Sequence, residues 1–134
     1  MTAIARLNPE TLPDAGKVGY SQITTVEPGR LAFISGQVAW HRDGGAQPGT
    51  LAEQAELVMA NARAALDAVG ATSQDIVMIR MYIVGFTPER QTAIMPTFLA
   101  FLGGAQPSLT GIGVAALAGT GLELEMEMVV RLPD

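Results

Sequence analysis

Residues 122–131 read Leu122-Glu123-Leu124-Glu125-Met126-Glu127-Met128-Val129-Val130-Arg131. Successive side chains of an extended chain leave opposite faces, so Leu122, Leu124, Met126 and Met128 line one face and Glu123, Glu125 and Glu127 the other. The pattern predicts a strand whose apolar face rests on a core. Three acids on a solvated face are unremarkable. If that face meets a neighbouring subunit, at least one acid needs a specific partner.

Working back from this strand, Ala118-Gly119-Thr120-Gly121 separates it from another near 112–117. Residues 76–84 (Ile-Val-Met-Ile-Arg-Met-Tyr-Ile-Val) are almost continuously apolar, which suits a strand covered on both faces. Two helices are signalled. In the first, Thr50-Leu51-Ala52-Glu53 has the form of a capping box, and Leu51, Ala55, Val58, Ala62, Leu66 and Val69 recur at helical spacing until Gly70 offers a left-handed stop. The second starts at Thr87-Pro88-Glu89 and turns Ile94, Phe98 and Phe101 inward, while Pro96 predicts a kink or a division. Strands at 21–26 and 31–38 flank Glu27-Pro28-Gly29-Arg30 and are expected to form a β-hairpin. The order β-β-α-β-α-β-β indicates an α+β fold, with two helices on one face of a mixed sheet.

The chain has 134 residues, the size of a single domain spanning 1–134, and no internal repeat or linker interrupts it. Without cysteine it has neither disulfides nor thiolate chemistry, and its one histidine, His41, has no companion for a metal site. No metal or cofactor is expected. The N-terminus lacks the apolar core of a signal peptide and no stretch reaches the length of a membrane span, so a cytoplasmic setting is expected. Net charge is −5, from 8 basic and 13 acidic residues, and Arg30, Arg42, Arg63, Arg80 and Arg90 are scattered. Nucleic acid is therefore not an expected partner, because its binding is dominated by cations clustered against phosphates. Gly111-Ile112-Gly113-Val114-Ala115-Ala116 has the spacing of a dinucleotide loop, but too little chain follows to build that fold. Trp40 reads as a loop aromatic covering the sheet edge, with ligand stacking as the lesser alternative. Met78, Met81, Met126 and Met128 read as flexible filler.

Several segments, in order, resemble the RidA/YjgF family. Gly19-Tyr20-Ser21-Gln22 is similar to its Gly-Pro-Tyr-Ser-Gln segment without the proline, and Phe33-Ile34-Ser35-Gly36-Gln37-Val38 to its Ser-Gly-Gln strand. Gln54, Asn61, Leu66 and Gly70 match its first helix, and Asp75-Ile76-Val77 its third strand. Gly113-Val114-Ala115-Ala116-Leu117 and Glu125-Met126-Glu127-Met128-Val129 resemble its last two strands, so the likeness runs from about 17 to 131.

The resemblance implies a chorismate-mutase-like fold, a homotrimer and small-molecule clefts between subunits. It also implies hydrolysis of 2-imino acids and their enamines to 2-keto acids and ammonia, an enamine/imine deaminase activity. Carried over residue by residue, the cleft tyrosine falls on Tyr20 and the cleft glycine on Gly36. The water-positioning catalytic glutamate falls on Glu125, with Glu123 as the alternative. The small residue beside the substrate falls on Gly111, and the second-helix asparagine on Met95. The arginine that grips the substrate carboxylate falls on Leu109, in Pro107-Ser108-Leu109-Thr110.

That last departure changes the expected ligand. Leaving a buried charge without its partner costs roughly 2–5 kcal/mol. A simple 2-imino acid is thus a poor substrate for a cleft walled by leucine, and a neutral molecule suits it better. Arg80 is the alternative source of a cation. A non-catalytic ligand-binding or metabolic-sensor trimer is the alternative function, in which Glu125 only fixes subunit packing.

Overall fold

The computed structural model describes residues 3–134. Eight strands and helices follow in the order β1 (Ile4–Leu7), β2 (Ile23–Val26), β3 (Leu31–Gln37), α1 (Leu51–Ala68), β4 (Ile76–Val84), α2 (Pro88–Leu102), β5 (Ser108–Val114) and β6 (Leu124–Arg131). The main sheet runs β3-β6-β4-β5. Only the β4–β5 pair is parallel, because α2 carries the chain across between them. Helices α1 and α2 cover one face of this mixed sheet, which is the expected α+β layering.

The alternation read in β6 determines which face is covered. Leu124, Met126, Met128 and Val130 are at most 2% exposed against the helices. Helix α1 packs on this strand, and these side chains share one core with Leu51, Ala55, Val58, Ala62 and Leu66 of α1 and with Ile94, Phe98 and Phe101 of α2. Helix α1 begins with the Thr50 hydroxyl accepting from Glu53 N at 3.2 Å, half of the expected box. It ends in a Schellman arrangement: Gly70 N donates to Asp67 O and Ala71 N to Leu66 O, with Gly70 at φ +69°. Helix α2 runs through Pro96 undivided. Pro96 is exposed and so is Thr92, whose carbonyl loses its partner, so water can replace the missing bond.

The expected β2–β3 hairpin does not form. Strand β2 pairs antiparallel with β1, and β3 pairs with β6. The four residues of β1 are too few and too mixed in pattern to signal a strand. At the turn between β2 and β3, the buried Arg131 guanidinium donates to Glu27 O at 3.2 Å and Pro28 O at 2.8 Å. Carbonyls that would face a hairpin partner are thereby committed to a side chain. The β1–β2 ribbon is instead anchored where β5 begins, through a parallel Ser21–Ser108 bridge and a Thr24 Oγ1–Ser108 Oγ hydrogen bond of 2.8 Å.

Strand β4 spans the expected residues but is covered on one face only. Ile76, Ile79, Met81 and Ile83 are buried, whereas Arg80 is exposed and Met78 and Tyr82 are half-buried. Beside them on the open face stands Phe33, 77% exposed. Among the described residues, no helix is long and apolar enough to cross a membrane.

Two polar side chains of α1 tie it to the sheet layer. Gln54, 1% exposed, donates to Pro48 O at 3.1 Å and Gly121 O at 2.9 Å, and accepts from Glu123 N at 2.9 Å. It ties α1 to the loop entering β6, and Asn61 does the same for the end of β3 by donating to Val38 O and Trp40 O. Removing one partner strands a buried polar group at about 1–3 kcal/mol each. Gln54→Ala should therefore lower unfolding free energy by about 2–4 kcal/mol, measured as a lower urea midpoint with an unchanged slope.

Candidate functional site

A cavity of about 250 Å³ opens between α2 and the β4–β5 pair. Tyr20 reaches its rim through a chain of local constraints. Asp14 caps the short 3-10 turn Ala15–Val18, Tyr20 N donates to Ala15 O, and Ser21 donates to Pro107 O and Gln106 O. These bonds hold Tyr20 beside the start of β5. Register then fixes the neighbouring wall: Leu109 pairs with Ile79 and Gly111 with Met81, so both face the helices. Phe86, from the loop after β4, lies on the glycine path of β5. A Cβ on Gly111 would stand 3.2 Å from Phe86 Cε2, and one on Gly113 3.1 Å from Phe86 Cβ. Met95, Gln91, Ile94 and Phe98 of α2 complete the wall together with Ile83. No charged residue lines this cavity among the described residues.

The acids lie on the opposite face. Arg90 Nη2 meets Glu123 Oε1 at 3.1 Å, while Arg90 Nε donates to Val84 O. Tyr82 donates a short hydrogen bond to Glu127, and Arg80 Nη1 lies 3.7 Å from the same carboxylate. Glu125, half-buried between them, has no hydrogen-bond or ion-pair partner among the described residues. Its space comes from Gly36. The β3–β6 register shifts between Ile34 and Gln37, a bulge that brings Gly36 to the open face. A Cβ at Gly36 would lie within 2.7 Å of Glu125 Cδ, Cγ and Oε2.

The structure thus brings Tyr20, Leu109, Gly111 and Met95 together, and Gly36 with Glu125, but the sheet separates the two groups within one chain. Arg80 is on the acid side, engaged with Glu127, and supplies no cation to the Leu109 cavity. Trp40 lies beside Gly119 and its indole N–H donates to Gln47 Oε1 at 3.2 Å, so it packs between two loops. Phe86, Gln91 and Tyr82 were not legible as site residues. The Gly111-x-Gly113 alternation was the available signal for Phe86, since two bare positions on one strand face leave room for a ring. Tyr82 shares the open face of β4 with Arg80, two residues away, opposite Glu125.

The hydrogen bond to Glu127 raises the Tyr82 pKa above its ordinary value of 10.0, with desolvation and the carboxylate charges adding to the effect. A raised folded-state pKa means that this bond stabilises the fold below the ordinary tyrosine pKa and is lost as pH climbs through the raised one. Absorbance titration at 295 nm should show a phenol ionising above ~10 that disappears in Tyr82→Phe. In Glu127→Ala its midpoint should fall back toward the ordinary value.

Known proteins place this architecture. Residues 13–132 match the family described as Endoribonuclease L-PSP. The chain is 32% identical over 111 residues to the RutC family protein YjgH of Escherichia coli (strain K12), covering 81% of each. It superposes on YyfB of Yersinia pestis, a protein of unknown function of the conserved Rid protein family, with TM-score 0.90 and 36% identity over 98% of this chain and 100% of that one. RidA from the Antarctic bacterium Psychrobacter sp. PAMC 21119 aligns at TM-score 0.69 and 26% identity, over 84% of this chain and 88% of its own. A family match across nearly the whole sequence, joined to this sheet order and these helices, means that the chain belongs to the RidA/YjgF family.

Proposed function

We propose that the chain is a cytoplasmic homotrimer that binds a small uncharged molecule between subunits and hydrolyses a C=N bond in it. The observation that carries this reading is the uncharged cavity walled by Leu109, with Tyr20, Gly111 and Met95 beside it. A carboxylate entering there would shed water and meet no cation, whereas a neutral imine or enamine would bury apolar surface. The open sheet face supports assembly, because Phe33, Met78 and Val129 form an uncovered patch around the half-buried acids. In the trimer, Gly36 and Glu125 of one subunit would border the Leu109 cavity of the next.

The chemistry follows from the uncommitted acid. Glu125 takes a proton from water as the oxygen adds to the C=N carbon, and returns it to nitrogen. Collapse of the adduct then forms the carbonyl and releases ammonia. Glu123 suits this role less well, since Arg90 already holds it. Endoribonuclease activity, in the wording of the family description, fits poorly with a net charge of −5 and with Arg80, Arg90 and Arg131 paired to acids.

A second reading has its own support. Because Glu125 and the cavity lie on opposite faces of one chain, ligand binding does not require the acid, and a non-catalytic sensor trimer is consistent with the geometry.

Ammonia release separates the two. With freshly generated 2-iminobutanoate and its methyl ester, the wild type should turn over the ester faster, and Glu125→Ala should lose at least about a hundredfold. Undiminished turnover in Glu125→Ala would overturn the assigned role; saturable binding with no turnover of either compound would favour the sensor. Leu109→Arg should improve use of the free acid by roughly thirtyfold or more, from the 2–5 kcal/mol at stake. Light scattering should show three chains per particle, and a monomer would remove the shared cleft.

A further inference from the structure

We propose that Gln91 reads a neutral carboxamide or lactam group on the ligand, with the Tyr20 hydroxyl as its second contact. This names the ligand class for the cavity described above and depends on that cavity being the ligand site. Among the described residues, only Gln91 and Tyr20 bring polar side-chain groups to a lining that is otherwise hydrocarbon, glycine and methionine.

Both groups are uncommitted. Gln91 lies near the start of α2, where its neighbours are occupied with holding the structure. Thr87 Oγ1 accepts from Arg90 N at 3.2 Å to cap the helix, Thr92 Oγ1 donates to Pro88 O at 3.0 Å, and the Arg90 guanidinium bonds Val84 O and Glu123. The Gln91 backbone N–H donates to Thr87 O at 3.0 Å, but its side-chain carboxamide makes no hydrogen bond among the described residues. Nor does the Tyr20 hydroxyl. An exposed carboxamide with no hydrogen bond to the described residues, set at the mouth of an apolar cavity, is free to serve whatever enters.

The donor and acceptor inventory selects the ligand. A glutamine side chain presents an N–H donor and a carbonyl acceptor next to each other, and a planar neutral group that satisfies both side by side is another amide. A carboxylate offers acceptors alone and has no cation to meet at Leu109. An ammonium offers donors alone, and no carboxylate among the described residues lines the cavity. The remaining body of the ligand, about one ring in size for a cavity of about 250 Å³, would lie against Leu109 and Phe86.

Calorimetric titration with cyclohexanecarboxamide, cyclohexanecarboxylate and cyclohexyl methyl ketone tests this on the wild-type protein, Gln91→Leu and Leu109→Arg. The carboxamide should bind at least about tenfold more tightly than the carboxylate, and Gln91→Leu should weaken it roughly tenfold. The ketone, which accepts but cannot donate, should lose several-fold less, showing that the cavity itself survives the substitution. Equal binding of amide and carboxylate would overturn the proposal. So would unchanged carboxamide affinity in Gln91→Leu, and if Leu109→Arg still altered binding, the cavity would stand as the ligand site without this role for Gln91. If no probe bound and Leu109→Arg altered nothing, the cavity reading would fall, and this inference with it.

Discussion

Strand β6 lies between β3 and β4, so its two faces must satisfy opposite demands. Leu124, Met126, Met128 and Val130 are buried on the helix side, and the pleat then forces Glu123, Glu125 and Glu127 to the other side. A shift of one residue in register would bury three carboxylates and expose the core. The strand's position is therefore strongly fixed, and both the helix-side cavity and the acid face inherit their geometry from it. Gln54 secures the same register from α1, because its carboxamide takes the Glu123 N–H just where β6 begins.

The three acids have different fates although their spacing is uniform. Glu123 lies within reach of Arg90 on α2, and Glu127 opposite Arg80 with Tyr82 beside it. Glu125 is left between them with no cation partner among the described residues, in a space opened by the bulge at Gly36. A half-buried carboxylate without a partner gives up hydration for nothing in the isolated chain. That imbalance is what makes it the candidate for reaction or for contact across an interface, and sequence spacing alone could not have distinguished it from Glu123.

The cavity on the other face shows a consistent change of character. Leucine, methionine and glutamine stand at Leu109, Met95 and Gln91, with Phe86 filling the bare strand at Gly111 and Gly113. No single one of these residues decides the ligand. Their combination, hydrocarbon walls with one free amide and one hydroxyl, is the basis of the neutral ligand proposed.

Much of the fold was written in local pattern. The period-two alternation of β6, the helical spacing from Leu51 to Leu66 and the stop at Gly70 depend on neighbours in the chain, and the structure keeps all three. The nearly continuous apolar run of β4, interrupted by Arg80, gave its limits but suggested cover on both faces, because a run of methionine and isoleucine does not reveal which side has a partner in the same chain. The β2–β3 pairing was misread for a related reason: which strand takes a free edge depends on competing partners, here β1 and the Arg131 guanidinium. The site divides the same way. Tyr20, Gly36, Leu109, Gly111 and Glu125 (or Glu123) are candidates named by position along the chain. Only the folded sheet could place Glu125 and Gly36 on one side and Tyr20, Leu109 and Gly111 on the other, because the side of a strand facing a cavity is set by register with its neighbours.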